Sequence, residues 1–151
     1  MATICTARAR DAIARFLHVT PASLSQRGAT ANSSYPECAF GARLGGRRVT
    51  VTAEVDTEPS AYAVLERTII ESSQIFPQRN HPAPLHVGHL GLDASWFPEG
   101  TQLMTTDAVR LVIVTVAWHP APTARKVALA VAVARSYLGR SRPKLARGPA
   151  P

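Results

Sequence analysis

The sequence is poor in cysteine and in aromatic residues, and it contains no long apolar run. Only two of its 151 residues are cysteine, and phenylalanine, tyrosine and tryptophan together make up 6%. No segment reaches the roughly 18–20 consecutive apolar residues that a membrane-spanning helix needs. The first residues also lack the apolar core and cleavage site of a signal peptide. We therefore expect any export segment or anchor to lie outside this chain.

Recognisable catalytic motifs are missing as well. No Gly-x-Ser-x-Gly elbow occurs, and Ser95 lacks the flanking glycines of a strained nucleophile turn. Glu66 and Glu71 are five residues apart, so a helix would place them on different faces. No helix pattern follows Gly45-Gly46, which excludes a phosphate-binding loop. We expect a protein that is not an enzyme and that uses no cofactor.

Positive charge is in excess and is unevenly distributed. The net charge is +7, while 46% of the residues are hydrophobic and 18% are charged, which is typical of a globular domain. Aromatic residues are not interleaved with the basic ones, so we expect no specific nucleic-acid partner. Attraction to an anionic membrane or envelope surface is the interpretation that we favour. The basic residues that carry it lie in the first helix and at the C-terminus: Arg8, Arg10, Arg15, Arg135, Arg140, Arg142, Lys144 and Arg147.

The two cysteines favour one structural disulfide. Cys5 opens a predicted helix and Cys38 lies in a predicted strand, and neither has a metal-ligating neighbour at short spacing. A disulfide would place the domain in an oxidising compartment. Two alternatives stay open. Both thiols could be free in a cytosolic protein, or Cys5 could be a reactive thiol, because a helix N-terminus lowers a thiol pKa.

Hydrophobic periodicity predicts three helices. The first runs from Thr6 to Leu17, with Thr3 or Thr6 as its cap, and the second begins near Pro59. The third, Ala124–Leu138, starts after Thr123 as the N-cap and ends at Gly139. The inward residues predicted for the second helix are Leu65, Thr68, Ile69, Ser72 and Phe76, and those for the third are Val127, Val131, Ala134 and Leu138.

Alternating and apolar segments predict about five strands. Glu37–Arg43 and Arg47–Asp56 form a hairpin around a glycine turn, and Thr20–Tyr35 before it is a loop with at most a short helical turn. Three further strands follow Gly91: Ala94–Phe97, Thr101–Thr106 and Arg110–Trp118. The last is apolar at nearly every position, which indicates a central strand.

The element order α-β-β-α-β-β-β-α therefore predicts an α+β fold, an antiparallel sheet packed by three helices. We expect residues 1–139 to form one domain and residues 140–151 to be a disordered, basic Pro/Gly tail.

Three local patterns together resemble one protein family. They are a cysteine that opens helix one, the sequence Cys38-Ala39-Phe40 on a strand, and the segment Gly88–Trp96 followed by a hairpin and an Ala-rich helix. These patterns are similar to an actinobacterial family of uncharacterised exported proteins that are lipid-anchored or tethered. More distantly, they resemble the extracellular sensor domains of mycobacterial Ser/Thr receptor kinases. The resemblance implies a Cys5–Cys38 disulfide, an extracytoplasmic location at the cell envelope and no catalytic residues.

Two groups of side chains are candidates for a binding site. Aromatic and apolar residues near strand ends predict a cleft between sheet and helices that takes a small apolar ligand or an envelope protein. Its candidate residues are Trp96, Phe97, Val114, Trp118 and Phe76. A weaker candidate is a metal site in the loop that carries His81, His86 and His89, although their spacing matches no compact metal motif.

Three functions therefore stay open. The first is a non-enzymatic, sensor-like binding domain of the envelope that uses the sheet–helix cleft. The second is an adaptor that binds anionic surfaces through basic helix one and the tail. The third, and the weakest, is a metal-binding domain that uses the histidine loop.

Overall fold

The fold is an α+β arrangement in which helices pack on an antiparallel sheet. The computed structural model describes residues 4–29, 36–57, 63–69, 71, 83–107 and 109–138. The three helices are α1 (Ala7–Leu17), α2 (residues 63–69) and α3 (Thr123–Tyr137), and a short 3-10 turn covers Pro21–Ser23. The strands are β1 (Ser25–Ala29), β2 (Glu37–Leu44), β3 (Arg47–Thr57), β4 (Leu85–His86), β5 (Asp93–Phe97), β6 (Gln102–Thr106) and β7 (Arg110–Trp118).

The seven strands form one sheet in the order β1-β2-β3-β7-β6-β5-β4, and every neighbouring pair is antiparallel. The apolar strand β7 is the middle strand, as predicted. The α+β class is confirmed, with seven strands in place of about five. Among the described residues, no helix has the length and apolar character needed to cross a bilayer.

The two additional strands lie at the two edges of the sheet. β1 occupies part of the segment predicted to be a loop, so that prediction is wrong for Ser25–Ala29. Its sequence, SQRGA, has neither alternation nor β-branched residues, and it is a strand because β2 offers it an unpaired edge. β4 has only two residues, too few to leave a periodic signal.

The hairpin between β2 and β3 follows the glycine signal. Gly45 and Gly46 form a two-residue turn with φ values of +55° and +79°, a conformation that few other residues adopt without strain. Leu44 pairs with Arg47, and Arg43 pairs with Arg48 on the next rung. Val49, Val51 and Ala53 then face the main core, as their alternation predicts.

The main core fills the space between the sheet and the pair α1 and α3. Trp96 and Val114 are 1% and 0% exposed there, and Ile13 of α1 and Val133 of α3 cover them. A smaller cluster lies on the opposite face of the sheet, where α2 places Leu65 against three other buried side chains: Phe97, Met104 and Leu111.

Helix α3 departs from its predicted details. Its N-cap is Pro122, and Thr123 is the first helical residue, so Thr123 is not the cap. The fully buried side is formed by Leu129, Ala130, Val133, Ala134 and Tyr137, whereas Val127 and Val131 are only partly buried. Apolar residues surround this helix, so periodicity alone could not select its inward side. Ser72 and Phe76 of the second predicted stripe lie outside the described residues, as do Gly139 and the tail.

Residues 4–6 join three elements at the start of α1. The Cys5–Cys38 disulfide is present, with 5.2 Å between the two Cα atoms, and ties this segment to β2. Thr6 caps α1 by accepting a hydrogen bond from the Ala9 N–H at 3.1 Å. The Tyr137 hydroxyl of α3 donates to the Ile4 carbonyl at 2.5 Å. Burial raises the pKa of Tyr137 to about 12, despite opposing hydrogen bonds with Thr6, so the phenol keeps its donor proton at neutral pH.

The segment before β5 owes its shape to a glycine. Gly91 has a φ of +59°, and a Cβ at this position would lie 2.4 Å from the Thr106 carbonyl oxygen. Leu92 N–H donates to that same oxygen at 2.7 Å, and the Thr105 hydroxyl donates to the Asp93 carbonyl at 2.9 Å. The glycine therefore lets the chain approach β6 closely enough to be hydrogen-bonded to it.

Candidate functional site

Four of the five residues proposed for an apolar cleft are described, and they lie in different places. Trp96 and Val114 are part of the main core, and Phe97 lies in the small cluster on the other face of the sheet. Trp118 is half-buried near the end of β7, and Phe76 lies outside the described residues. The space between Trp96 and the helices is occupied by side chains. One polar group is unsatisfied there, because the buried Trp96 Nε1–H has no hydrogen-bond partner among the described residues.

The histidine loop is described only in part. His81 lies outside the described residues. His86 is exposed on β4 and lies 3.7 Å from the Asp93 carboxylate (Nδ1 to Oδ1), while His89 is exposed in a left-handed backbone conformation. Within the described ranges, no three His, Cys, Asp or Glu side chains are grouped as ligands for a metal ion.

A groove runs between α1 and α3 on the outside of the helix layer. The two helices are antiparallel, since Tyr137 reaches Ile4 at one end and the Arg125 guanidinium lies 5.6 Å from the centroid of the Phe16 ring at the other. The groove has a volume of about 530 Å³. Its lining residues are Arg8, Asp11, Ala12, Arg15, Phe16, Ala132, Arg135 and Ser136.

Charge in this groove is predominantly positive. Three arginines, Arg8, Arg15 and Arg135, face one carboxylate, Asp11, so the lining carries a net charge of +2 from these four side chains. Ala12 and Ala132 are small, which lets the guanidinium groups flank an open channel. The groove can therefore hold negatively charged groups side by side, and its apolar floor suits a partner with both charged and apolar parts.

The sequence anticipated the residues of this groove but not their arrangement. Arg8 and Arg15 belong to the basic helix one of the prediction, and Arg135 to the basic C-terminal group. Only the antiparallel packing of α1 on α3 brings them to one surface. Arg10 lies elsewhere, because its Nε donates to the Gln26 side-chain oxygen of β1 at 3.0 Å.

Two further pockets lie at the end of the sheet where the β2–β3 hairpin turns. One, of about 470 Å³, includes Arg48, Trp118, His119 and Lys126 in its lining. The other, of about 320 Å³, includes Arg43 and Arg48. Trp118, one of the predicted cleft residues, lines the first of them. Neither pocket was predicted as such, because its residues come from separate elements and form no linear motif.

Carboxylates gather at the opposite end of the same strands. Glu37 and Glu54 are directly paired across β2 and β3. Burial, followed by the negative charges of Glu37 and Asp56, raises the pKa of Glu54 above its usual value. The described strands therefore carry an acidic end and a basic end, and the pockets lined by Arg43 and Arg48 lie at the basic one.

Comparison of this chain with known proteins revealed no relationship. Searches of protein-family models, of curated proteins and of solved structures found no match to this chain. The class that the structure itself defines is an α+β domain with one disulfide and a basic, grooved helix layer.

Proposed function

We propose that the protein is a non-enzymatic binding domain of the cell envelope, an adaptor that docks on an anionic membrane surface through α1 and α3. The single observation that carries this proposal is the α1–α3 groove, in which three arginines face one carboxylate. The filled core beneath it favours a function at the surface over one in an internal cleft.

Three further observations support the location and the partner. The Cys5–Cys38 disulfide is typical of an oxidising, extracytoplasmic setting. The tail that follows α3 in the sequence adds four cations next to the groove's helix: Arg140, Arg142, Lys144 and Arg147. The similarity to exported envelope proteins agrees with the same setting.

Vesicle co-sedimentation tests the proposal. We expect binding to vesicles of mixed phosphatidylglycerol and phosphatidylcholine, none to pure phosphatidylcholine, and weaker binding at higher salt. Each cation near an anionic surface contributes about 1 kcal/mol. The triple variant Arg8→Gln/Arg15→Gln/Arg135→Gln should therefore bind roughly 100-fold more weakly.

A matched control removes the same charge elsewhere. Arg27, Arg47 and Arg67 are exposed and line none of the α1–α3 groove. The variant Arg27→Gln/Arg47→Gln/Arg67→Gln should keep most of the vesicle affinity. If both triple variants lost the same vesicle affinity, net charge alone would explain the binding, and this would contradict a specific docking face. Equal binding to neutral and anionic vesicles would contradict the proposal altogether.

The sheet–helix cleft remains a second candidate because of one atom, the Nε1–H of Trp96, which no group in the described part of the chain accepts. A small apolar ligand with one acceptor oxygen would satisfy it if the helices moved apart. Trp96 and Trp118 are the two tryptophans of the chain, so Trp118→Phe isolates the Trp96 fluorescence. A saturable change in that emission with long-chain alcohols would support the cleft, and a constant spectrum would contradict it.

A further inference from the structure

The pocket of about 470 Å³ at the basic end of the sheet exists because β7 extends past its neighbour β6. The first residue of β6, Gln102, pairs with Thr115, and the Val116 N–H donates to the Thr101 carbonyl just before β6 begins, at 3.0 Å. Ala117 and Trp118 continue β7 beyond that point and pair only with β3. The uncovered side of these two residues forms the floor of the pocket.

Two basic residues line this pocket from different layers of the molecule, and the exposed Arg48 side chain, whose guanidinium lies over Gly41 of β2, must turn toward β7 to share a ligand with Lys126. Arg48 comes from the start of β3 and Lys126 from the first turns of α3. His119 and two hydroxyl-bearing residues, Thr50 and Thr101, complete the polar lining. The pocket is therefore lined by two cationic residues, by hydrogen-bonding groups and by Trp118, over whose ring the Arg125 guanidinium lies 5.2 Å from the centroid.

Arg48 is also held close to another arginine. Arg43 is its direct partner across the β2–β3 hairpin, and like charges in that position repel each other. Two ion pairs join described residues to one another, His86–Asp93 and Arg110–Asp107. Neither includes Arg43, Arg48 or Lys126, which therefore have no carboxylate partner in the described ranges. An anion bound here would relieve a repulsion that the described part of the chain does not offset.

The neighbouring pocket of about 320 Å³ shares Arg48 and adds Arg43 with two serines, Ser23 and Ser25. The two pockets together therefore present hydroxyl groups on both sides of a central pair of arginines. This alternation of cations and hydroxyls matches a ligand that carries a phosphate beside several hydroxyl groups.

We propose that this basic end is a second, separate binding site, for a phosphomonoester of a sugar or polyol. Arg48 and Lys126 bind the phosphate, which carries nearly two negative charges at neutral pH, and Thr50 and Thr101 bind hydroxyl groups of the sugar. Trp118 supplies an apolar surface for its C–H groups. The site shares no residue with the α1–α3 groove, so the two proposals can be tested independently of each other.

Titration with glucose 1-phosphate, followed by ¹⁵N NMR, tests the site. The indole N–H signal of Trp118, distinguished from that of Trp96 by Trp118→Phe, should shift and saturate. Glucose 1-phosphate should bind more tightly than inorganic phosphate, and glucose should not bind. Arg48→Gln/Lys126→Gln should weaken binding by about 10-fold or more for each cation removed.

The control Arg27→Gln/Arg67→Gln removes two exposed cations that line neither pocket, and it should bind like the wild type. The NMR spectrum of each variant shows directly whether it is folded. The groove variant Arg8→Gln/Arg15→Gln/Arg135→Gln should keep its affinity for glucose 1-phosphate, and Arg48→Gln/Lys126→Gln should keep most of its vesicle binding. An unmoved Trp118 signal, equal binding of phosphate and glucose 1-phosphate, or equal losses in the pocket and control variants would overturn the proposal.

Discussion

Removal of the Cys5–Cys38 disulfide should destabilise the domain by several kcal/mol. The bond closes a loop between residues 33 positions apart in the sequence, and Cys38 is fully buried. In the chain-entropy model, a loop of this length restricts the unfolded chain by about 3–4 kcal/mol. Net stabilities of single domains are about 5–15 kcal/mol, so the disulfide accounts for a large part of the total.

The loss of stability can be measured as a change in melting temperature. For a domain of this length, 1 kcal/mol corresponds to roughly 2–4 °C, so Cys5→Ala/Cys38→Ala should melt roughly 6–16 °C below the oxidised wild type. Alanine avoids placing a hydroxyl at the buried Cys38 position, which would add a separate cost. Circular dichroism melts and urea titrations give the difference directly.

Reduction of the wild type provides the internal control. A phosphine reductant cuts the same link without changing the sequence, so the reduced wild type should melt close to the double alanine variant. The variant itself should not respond to the reductant. A difference below about 3 °C between oxidised and reduced wild type would mean less than about 1 kcal/mol from the link, and the loop-closure reasoning would be refuted.

Two further perturbations test the paired carboxylates and the glycine approach. Glu54→Gln should stabilise the protein at pH 7 by roughly 0.2–1 kcal/mol, because like charges are directly paired across β2 and β3. The pKa of Glu54 is raised in the folded state, so wild-type stability falls as the pH rises from the usual carboxyl pKa through that raised value. The stabilisation by Glu54→Gln should therefore vanish in acid. A stabilisation that persists in acid, or that the control Glu66→Gln reproduces, would contradict this reasoning. Gly91→Ala should lower the free energy of unfolding by roughly 2–4 kcal/mol in urea titrations, because it adds a strained positive φ and a backbone clash with Thr106. A loss below about 1 kcal/mol would show that the close approach of Gly91 to Thr106 relaxes easily.

The sequence predicted those elements whose local pattern has one structural solution. Gly45-Gly46 specified the hairpin because both residues have a positive φ, and the nearly continuous apolar run of β7 indicated its central place. β1 could not be found in this way, because SQRGA becomes a strand through the free edge of β2 and not through its own preference. Periodicity identified Ala134 and Leu138 on the buried side of α3 but not Leu129, Ala130 and Val133, since apolar residues surround that helix.

The candidate sites were less predictable than the fold because each depends on packing between distant elements. The cations of helix one were identified from the sequence, yet Arg135 joins Arg8 and Arg15 only because α1 and α3 are antiparallel. The Arg48 pocket depends on where β6 begins relative to the end of β7, which a strand pattern fixes only to within a few residues. Trp96 was assigned to a cleft because aromatic residues line ligand sites and cores alike.

The attachment of residues 4–6 has a mechanical consequence. Tension on whatever precedes Cys5 passes through a covalent bond into β2, which is paired on both sides within the sheet. Helix α1 is bypassed by this route, so a pull on the N-terminal side does not unwind it turn by turn. The arginines of the α1–α3 groove therefore keep their spacing under load as long as the disulfide is intact. In the reduced protein the same pull would reach α1 first, and the groove would be the first part of the surface to lose its shape.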